Sequence, residues 1–196
     1  APSFFIILYF YLSSNQSIYA SLLSLLWLVH YLNRTFMYPF RIRTKGKKMP
    51  LIIVGSAIFF NCINAGLNGY FLAHFESYTI DSFYQWNFIL GIMLFMSGFI
   101  INQKSDHILI HLRKPEETSY KIPNGFLFKY VSCPNLFGEL MQWTGFVIMA
   151  WNLPALSFLI WTGANLIPRA LGHHKWYQNH FPEYPKNRKT MIPGIW

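Results

Sequence analysis

Asn102, Asp106, Leu109 and Arg113 follow one another at steps of four, three and four residues, the spacing that aligns side chains along one face of an α-helix. Arg169, His173 and Tyr177 repeat at four and four, and Tyr31, Arg34 or Thr35, and Tyr38 form a third such series. Each series closes an apolar stretch. Polar and ionisable groups beside lipid are costly, usually face a bundle interior and carry function. If these helices bundle, the three faces line one cavity, and Arg34, Arg43, Arg113 and Arg169 make it strongly cationic. Arginine presents a planar fork of donors to phosphate oxygens, so the cavity suits a ligand with several phosphates. A poor dielectric nearby strengthens the attraction. Glu139, in "NLFGELMQW" close to Asn135, is a carboxylate near the start of an apolar run and reads as an acceptor for a ligand or an arginine.

Other polar residues have plainer readings. Arg41, Lys45, Lys47 and Lys48 fit topology signals and contacts to anionic lipid. His173 and His174 are adjacent, so they point to different faces of a helix, and no Cys, His or carboxylate stands at ligand spacing; no metal is expected. Trp27, Trp143 and Trp161, taken alone, read as packing or interface anchors. No GxGxxG follows a strand, and no P-loop, GxSxG or HExxH occurs, so a nucleotide would be held by side chains between helices.

The composition calls for lipid around those helices. Of 196 residues, 53% are hydrophobic and only 12% charged, about half the charged share of a soluble domain. The net charge of +9 raises nucleic acid as a partner, but its distribution argues against that. The basic residues fall in three clusters, Arg34 to Lys48, Lys104 to Lys129 and Arg169 to Lys189. Apolar stretches at 51–72 and 83–102 separate the first two, each long enough to cross about 30 Å of hydrocarbon. The connection "AHFESYTIDS" has two acids and no Lys or Arg, so the positive-inside rule puts all three clusters in the cytoplasm and this loop opposite. Residues 135–168 form another out-and-back pair, turned at "WNLPA" by Pro154. Upstream, 17–33 is a span and "PSFFIILYFYL" the end of another, with "SSNQS" between. The expected fold is all-α: one polytopic membrane bundle over 1–196 with about six transmembrane helices. Cys62 and Cys133 are too far apart in this topology to suggest a disulfide.

Two long segments carry a resemblance. "INQKSDHILIHLRKPEETSYKIPNGFLFKYVSCPNLFGELMQWTG" (101–145) and "RALGHHKWYQNHFPEYPKNRKTMIPGIW" (169–196), with "HYLNRTFMYPF" (30–40) and the opening "APSFF", closely resemble the steroid 5-alpha-reductase family. The resemblance implies an integral membrane enzyme with seven helices, the first lying largely ahead of Ala1. It implies NADPH-dependent reduction of the 4,5 double bond of 3-oxo-4-ene steroids. Residues 105–125 would then close over NADPH. Asn102, Asp106, Arg113, Tyr120, Asn135, Arg169, His173 and Tyr177 match cofactor contacts, and Glu139 and Trp143 match positions near the nicotinamide and steroid. Tyr31 matches the tyrosine that hydrogen-bonds the steroid 3-ketone with a glutamate, whose place is immediately ahead of Ala1. Hydride delivery to carbon 5 pushes negative charge onto that ketone, so a preorganised donor there lowers the barrier. The chain departs from the family pattern at Phe126, Gly172 and Ser56, which bears on steroid preference.

The implied partners are a steroid and membrane lipid, with no nucleic acid and no obligate protein. The implied location is the ER membrane in a eukaryote or the inner membrane in a bacterium. A same-fold reductase of enoyl-CoA or polyprenal is the nearest rival; the former needs extra contacts for the CoA phosphates, whereas a steroid needs an apolar slot with one polar end. A membrane SAM-dependent methyltransferase shares the "Y..YP…R…IP" tail but not the Asn102 to Arg113 face. A structural or transporting bundle would not require three in-phase polar faces.

Overall fold

A computed structural model describes residues 1–42, 50–75, 77–114, 117 and 119–196. Among these the regular structure is helical: α1 (Pro2–Ser13), α2 (Ile18–Leu32), α3 (Leu51–His74), α4 (Trp86–His111), α5 (Pro134–Ala150) and α6 (Leu153–His180). The starts and stops follow local chemistry. Ser17 caps α2, its side chain accepting from the Ala20 N–H at 3.2 Å, and Asn152 caps α6 by accepting from the Ala155 N–H at 2.8 Å; each satisfies a donor that the first helical turn leaves open. Pro154 stands in that first turn, where its missing N–H costs nothing. Two residues, one of them Trp151 at a left-handed φ of 46°, turn the chain between α5 and α6, as the "WNLPA" reading expects.

Two departures from simple periodicity matter. After Leu32 the chain passes through a π-helical turn, Asn33–Met37, before a last α-helical turn, Tyr38–Arg41. The Tyr38 N–H reaches back five residues to the Asn33 carbonyl, and such wide turns shift the phase of everything after them. The Tyr31, Arg34, Tyr38 series therefore does not share one α-helical face. In the second departure α4 stops at His111, so Arg113 lies beyond the helix that was expected to carry it. Pro115 in the sequence explains the stop, because a proline disfavours helical backbone in the residue before it.

Helices α3 and α4 are long and apolar enough to cross a membrane. Helix α1, at 12 residues, is roughly 18 Å long by the helical rise, well short of the hydrocarbon thickness. About six spans are expected; among the described residues, two helices satisfy the length and composition of a span.

The chain forms two compact units, 1–90 with 148–158, and 91–147 with 159–196. In the first, Ser3 Oγ donates to Asn61 Oδ1 at 2.8 Å, Asn68 Nδ2 donates to the Pro154 carbonyl at 3.2 Å and Tyr19 OH donates to the Met149 carbonyl at 3.0 Å. Trp27 packs on Phe158 with centroids 4.6 Å apart. The second unit is built on small residues: a Cβ on Gly98 would stand 2.5 Å from the Gly138 carbonyl oxygen, and one on Gly145 at the same distance from that of Gly91. Such close approach of α4 and α5 requires glycine on both helices. Leu136, Leu166, Ala170, Met191 and the free thiol of Cys133 form a core at the base of α5 and α6.

Candidate functional site

In the second unit, the close contact of α4 and α5 aligns their polar residues. Asn102 is fully buried and Asp106 nearly so. Asn102 Nδ2 donates to the Asn135 carbonyl at 2.9 Å, and Asn135 Nδ2 donates to Asp106 Oδ1 at 3.1 Å. Three residues singled out by spacing and resemblance are thus one hydrogen-bonded chain. Leu109, one helical turn on, is half-buried. Beside Asp106, the Ser105 hydroxyl is buried with no hydrogen-bond partner among the described residues.

Arg113, half-buried past the end of α4, sets its guanidinium 5.1 Å from the Tyr120 ring, a cation–π contact. Tyr120 in turn meets Trp176 edge-on at 4.8 Å. The tyrosine of α6, Tyr177, is pushed up to about 12 by burial and by its neighbours Cys133 and Tyr184, with the Arg188 and Arg113 charges working against the rise. Arg113, Tyr120 and Tyr177 therefore belong to one neighbourhood. Arg169 is exposed and acts on His173 one turn later: desolvation of the ring, although the side chain reaches the surface, and then the Arg169 charge lower the His173 pKa. This follows the α-helical spacing, and α6 runs on through Pro168.

Glu139 is half-buried on α5, one turn after Asn135. Trp143, a further turn on, is only 1% exposed and packs edge-on against Phe95 at 6.3 Å and Phe146 at 5.7 Å.

Tyr31 and Arg34 belong to the first unit. Tyr31 is buried; its ring stacks on Trp27 at 5.7 Å and 18°, and His30 meets it edge-on at 5.2 Å. Arg34, inside the π turn, lies over the Tyr38 ring at 4.9 Å. Arg43 lies outside the described residues. A cavity of about 270 Å³ in this unit is lined by Tyr19, Phe71, Tyr78, Trp151 and Asn152 among others. None of the residues above lines it, and Tyr19 precedes Tyr31 by about 18 Å of helix axis.

Reading by spacing missed a second polar cluster in the second unit. Ser132 Oγ lies 2.5 Å from His174 Nδ1 and 2.7 Å from Tyr184 OH, and the buried Arg188 donates to Pro123 O and Asn124 Oδ1, each at 3.2 Å. The sequence by itself marks His174 only as a metal candidate and Arg188 only as one of a basic cluster. Ser132, Tyr184 and Arg188 lie outside helices, so no periodicity links them.

These features define a helical protein with two helices long and apolar enough to cross a membrane and, in its second unit, a hydrogen-bonded polar face accompanied by Arg113 and Arg169. The family model described as 3-oxo-5-alpha-steroid 4-dehydrogenase matches residues 47–196. The chain is 42% identical over 198 residues to 3-oxo-5-alpha-steroid 4-dehydrogenase 1 of Homo sapiens, covering 99% of this chain and 76% of that protein. It is also 42% identical over 173 residues to the steroid 5-alpha-reductase DET2 of Solanum lycopersicum, covering 87% and 67%. The chain belongs to the 3-oxo-5-alpha-steroid 4-dehydrogenase family, oxidoreductases acting on a CH–CH bond.

Proposed function

We propose that this chain reduces the 4,5 double bond of 3-oxo-4-ene steroids with NADPH held by the second unit. The observation that carries the reading is the Asn102, Asn135, Asp106 hydrogen-bond chain, with Arg113 and Tyr177 sharing a neighbourhood in the same unit. The side chains fit such a cofactor: Arg113 and Arg169 suit phosphates, the amides and Asp106 suit ribose and carboxamide groups, and the buried Ser105 hydroxyl retains an unused hydrogen-bonding capacity. In this reading Leu109, Tyr120 and His173 complete the cofactor contacts of the second unit.

When bound, NADPH would supply the hydride that carbon 5 of the steroid accepts, and a proton taken up from water at carbon 4 would complete the reduction. Tyr31 is the catalytic residue on this chain, donating a hydrogen bond to the 3-ketone as negative charge develops there. Its stacking on Trp27 holds the ring in one orientation before substrate arrives. Glu139 and Trp143 border the steroid. The whole chain, 1–196, works as one multi-pass membrane domain, with the basic clusters and the cofactor side facing the cytoplasm.

The test is reduction of a 3-oxo-4-ene steroid such as testosterone or progesterone by detergent-purified full-length protein with NADPH, the product followed by mass spectrometry. A 5α-dihydro product is expected. NADPH binding without product would move the substrate to an enoyl or isoprenoid lipid, and failure to bind NADPH would favour the methyltransferase reading.

A further inference from the structure

The Ser132 hydroxyl joins three segments: the residues entering α5, the face of α6 that carries His174, and a C-terminal strap, residues 184–190. Ser132 is 3% exposed. A serine hydroxyl has one proton to donate and two lone pairs to accept with, and all are used here. Ser132 Oγ donates to the Lys189 carbonyl at 3.1 Å and accepts from Tyr184 OH and His174 Nδ1. The Gln178 amide nitrogen faces His174 Nε2 at 2.8 Å, which assigns the ring proton to Nδ1, pointing at Ser132. Backbone bonds from Ser132 N to Lys189 O at 2.8 Å and from Lys189 N to Tyr130 O at 2.8 Å fix the strap in register.

The strap then reaches two parts of the candidate cofactor site. Tyr184 stacks on Tyr177 at 5.4 Å and 10°, and Arg188, 4.9 Å from the Tyr184 ring, holds the 120–125 loop through Pro123 O and Asn124 Oδ1. We infer that Ser132 and His174 are positioning residues for the cofactor: their hydrogen bond pins the strap, and the strap sets Tyr177 and the 120–125 loop. The inference rests on the cofactor reading above and adds two residues that need not touch the cofactor themselves.

The pin is sensitive to protonation. Burial, and next the Arg188 charge, lower the His174 pKa from its ordinary 6.5. Tyr184 meets the ring edge-on at 6.1 Å, Arg188 acts on it through its charge, and Ser132 links it to the Lys189 carbonyl; His173 and Lys175 are its neighbours along α6, and Glu183 is exposed. A second ring proton would place an N–H against the Gln178 amide nitrogen and a positive charge near Arg188. Because the folded-state pKa is the lower one, the pin's contribution is complete above about pH 6.5 and declines as pH falls from there toward the folded value.

The test is NADPH titration of the full chain in nanodiscs between about pH 5 and about pH 8, with kcat at saturating NADPH measured alongside. Ser132→Ala and His174→Leu are expected to raise the NADPH Kd about tenfold with a smaller change in kcat. His174→Asn keeps an N–H donor near the Nδ1 position without a titrating group. It is expected to restore affinity to within about threefold and to abolish the weakening below about pH 6.5. Folded Ala and Leu variants with the wild-type Kd would overturn the inference and leave the cofactor reading standing, as would an Asn variant that keeps the acid weakening. If the Leu variant fails to fold, the pH profile of His174→Asn decides. A wild-type chain that binds no NADPH would overturn both readings.

Discussion

Gly138 on α5 lies so close to Asn102 on α4 that a Cβ there would stand 2.5 Å from the Asn102 backbone nitrogen and 2.7 Å from the Gly98 carbonyl oxygen. Both obstacles are backbone, so neither can rotate away. The same approach brings the Asn102 side chain to the Asn135 carbonyl and the Asn135 amide to Asp106. Helix packing and polar site are one structural fact, since the buried hydrogen bonds form only at the helix separation that the glycines permit.

Gly138→Ala should therefore force α4 and α5 apart. Overpacking of this kind costs roughly 1–3 kcal/mol, and the Asn102 and Asp106 bonds lengthen with it. A lowered thermal unfolding temperature together with weaker NADPH binding is expected; a variant with wild-type values of both would show that the contact is not needed.

Asp106→Ala removes the acceptor for a half-buried Asn135 amide, and an unsatisfied donor costs about 1–3 kcal/mol. Asp106→Asn offers a neutral oxygen in the same place, so it should recover most of the stability and separate the hydrogen bond from the charge. Thermal unfolding and NADPH titration of the two variants side by side make the comparison, and equal stability losses in both would assign the effect to the carboxylate charge instead.

Much of this was legible in the sequence for physical reasons. Apolar runs and their punctuation placed the helix starts within a few residues, because Ser17, Asn152 and Pro154 act through local backbone chemistry. The 102, 106 and 169, 173 spacings hold because those residues sit inside unbroken α-helix. Where the periodicity breaks, the reading fails: the π turn at Asn33–Met37 and the end of α4 at His111 both shift a residue off its expected face. The Ser132 pin was invisible, since it joins residues 42 and 52 positions apart that have no common repeat.

Arg113→Ala should weaken NADPH binding by about 10- to 100-fold, the scale of a charge-assisted hydrogen bond of ~1.5–3 kcal/mol. Steroid affinity should change little. Arg113→Lys keeps the charge but loses the fork and the flat contact with Tyr120, so it should fall between the two. Equal losses for NADPH and steroid on Arg113→Ala would remove Arg113 from the cofactor site.

Tyr31→Phe is the sharpest probe of the chemistry. The phenylalanine ring keeps the stack on Trp27 and the edge contact with His30, so the surrounding packing is preserved and only the hydroxyl is lost. A donor that acts on charge developing in the transition state contributes to kcat, and removing one such donor costs about 10²–10³-fold. Turnover should fall on that scale while NADPH Kd stays within about twofold of wild type, the signature of an interaction made in the transition state. Trp27→Ala tests the support separately: it leaves the hydroxyl but frees the ring, and its loss in kcat should be smaller while its loss in stability, about 3–5 kcal/mol for a buried tryptophan, is larger. A Phe variant turning over at the wild-type rate would take Tyr31 out of the mechanism.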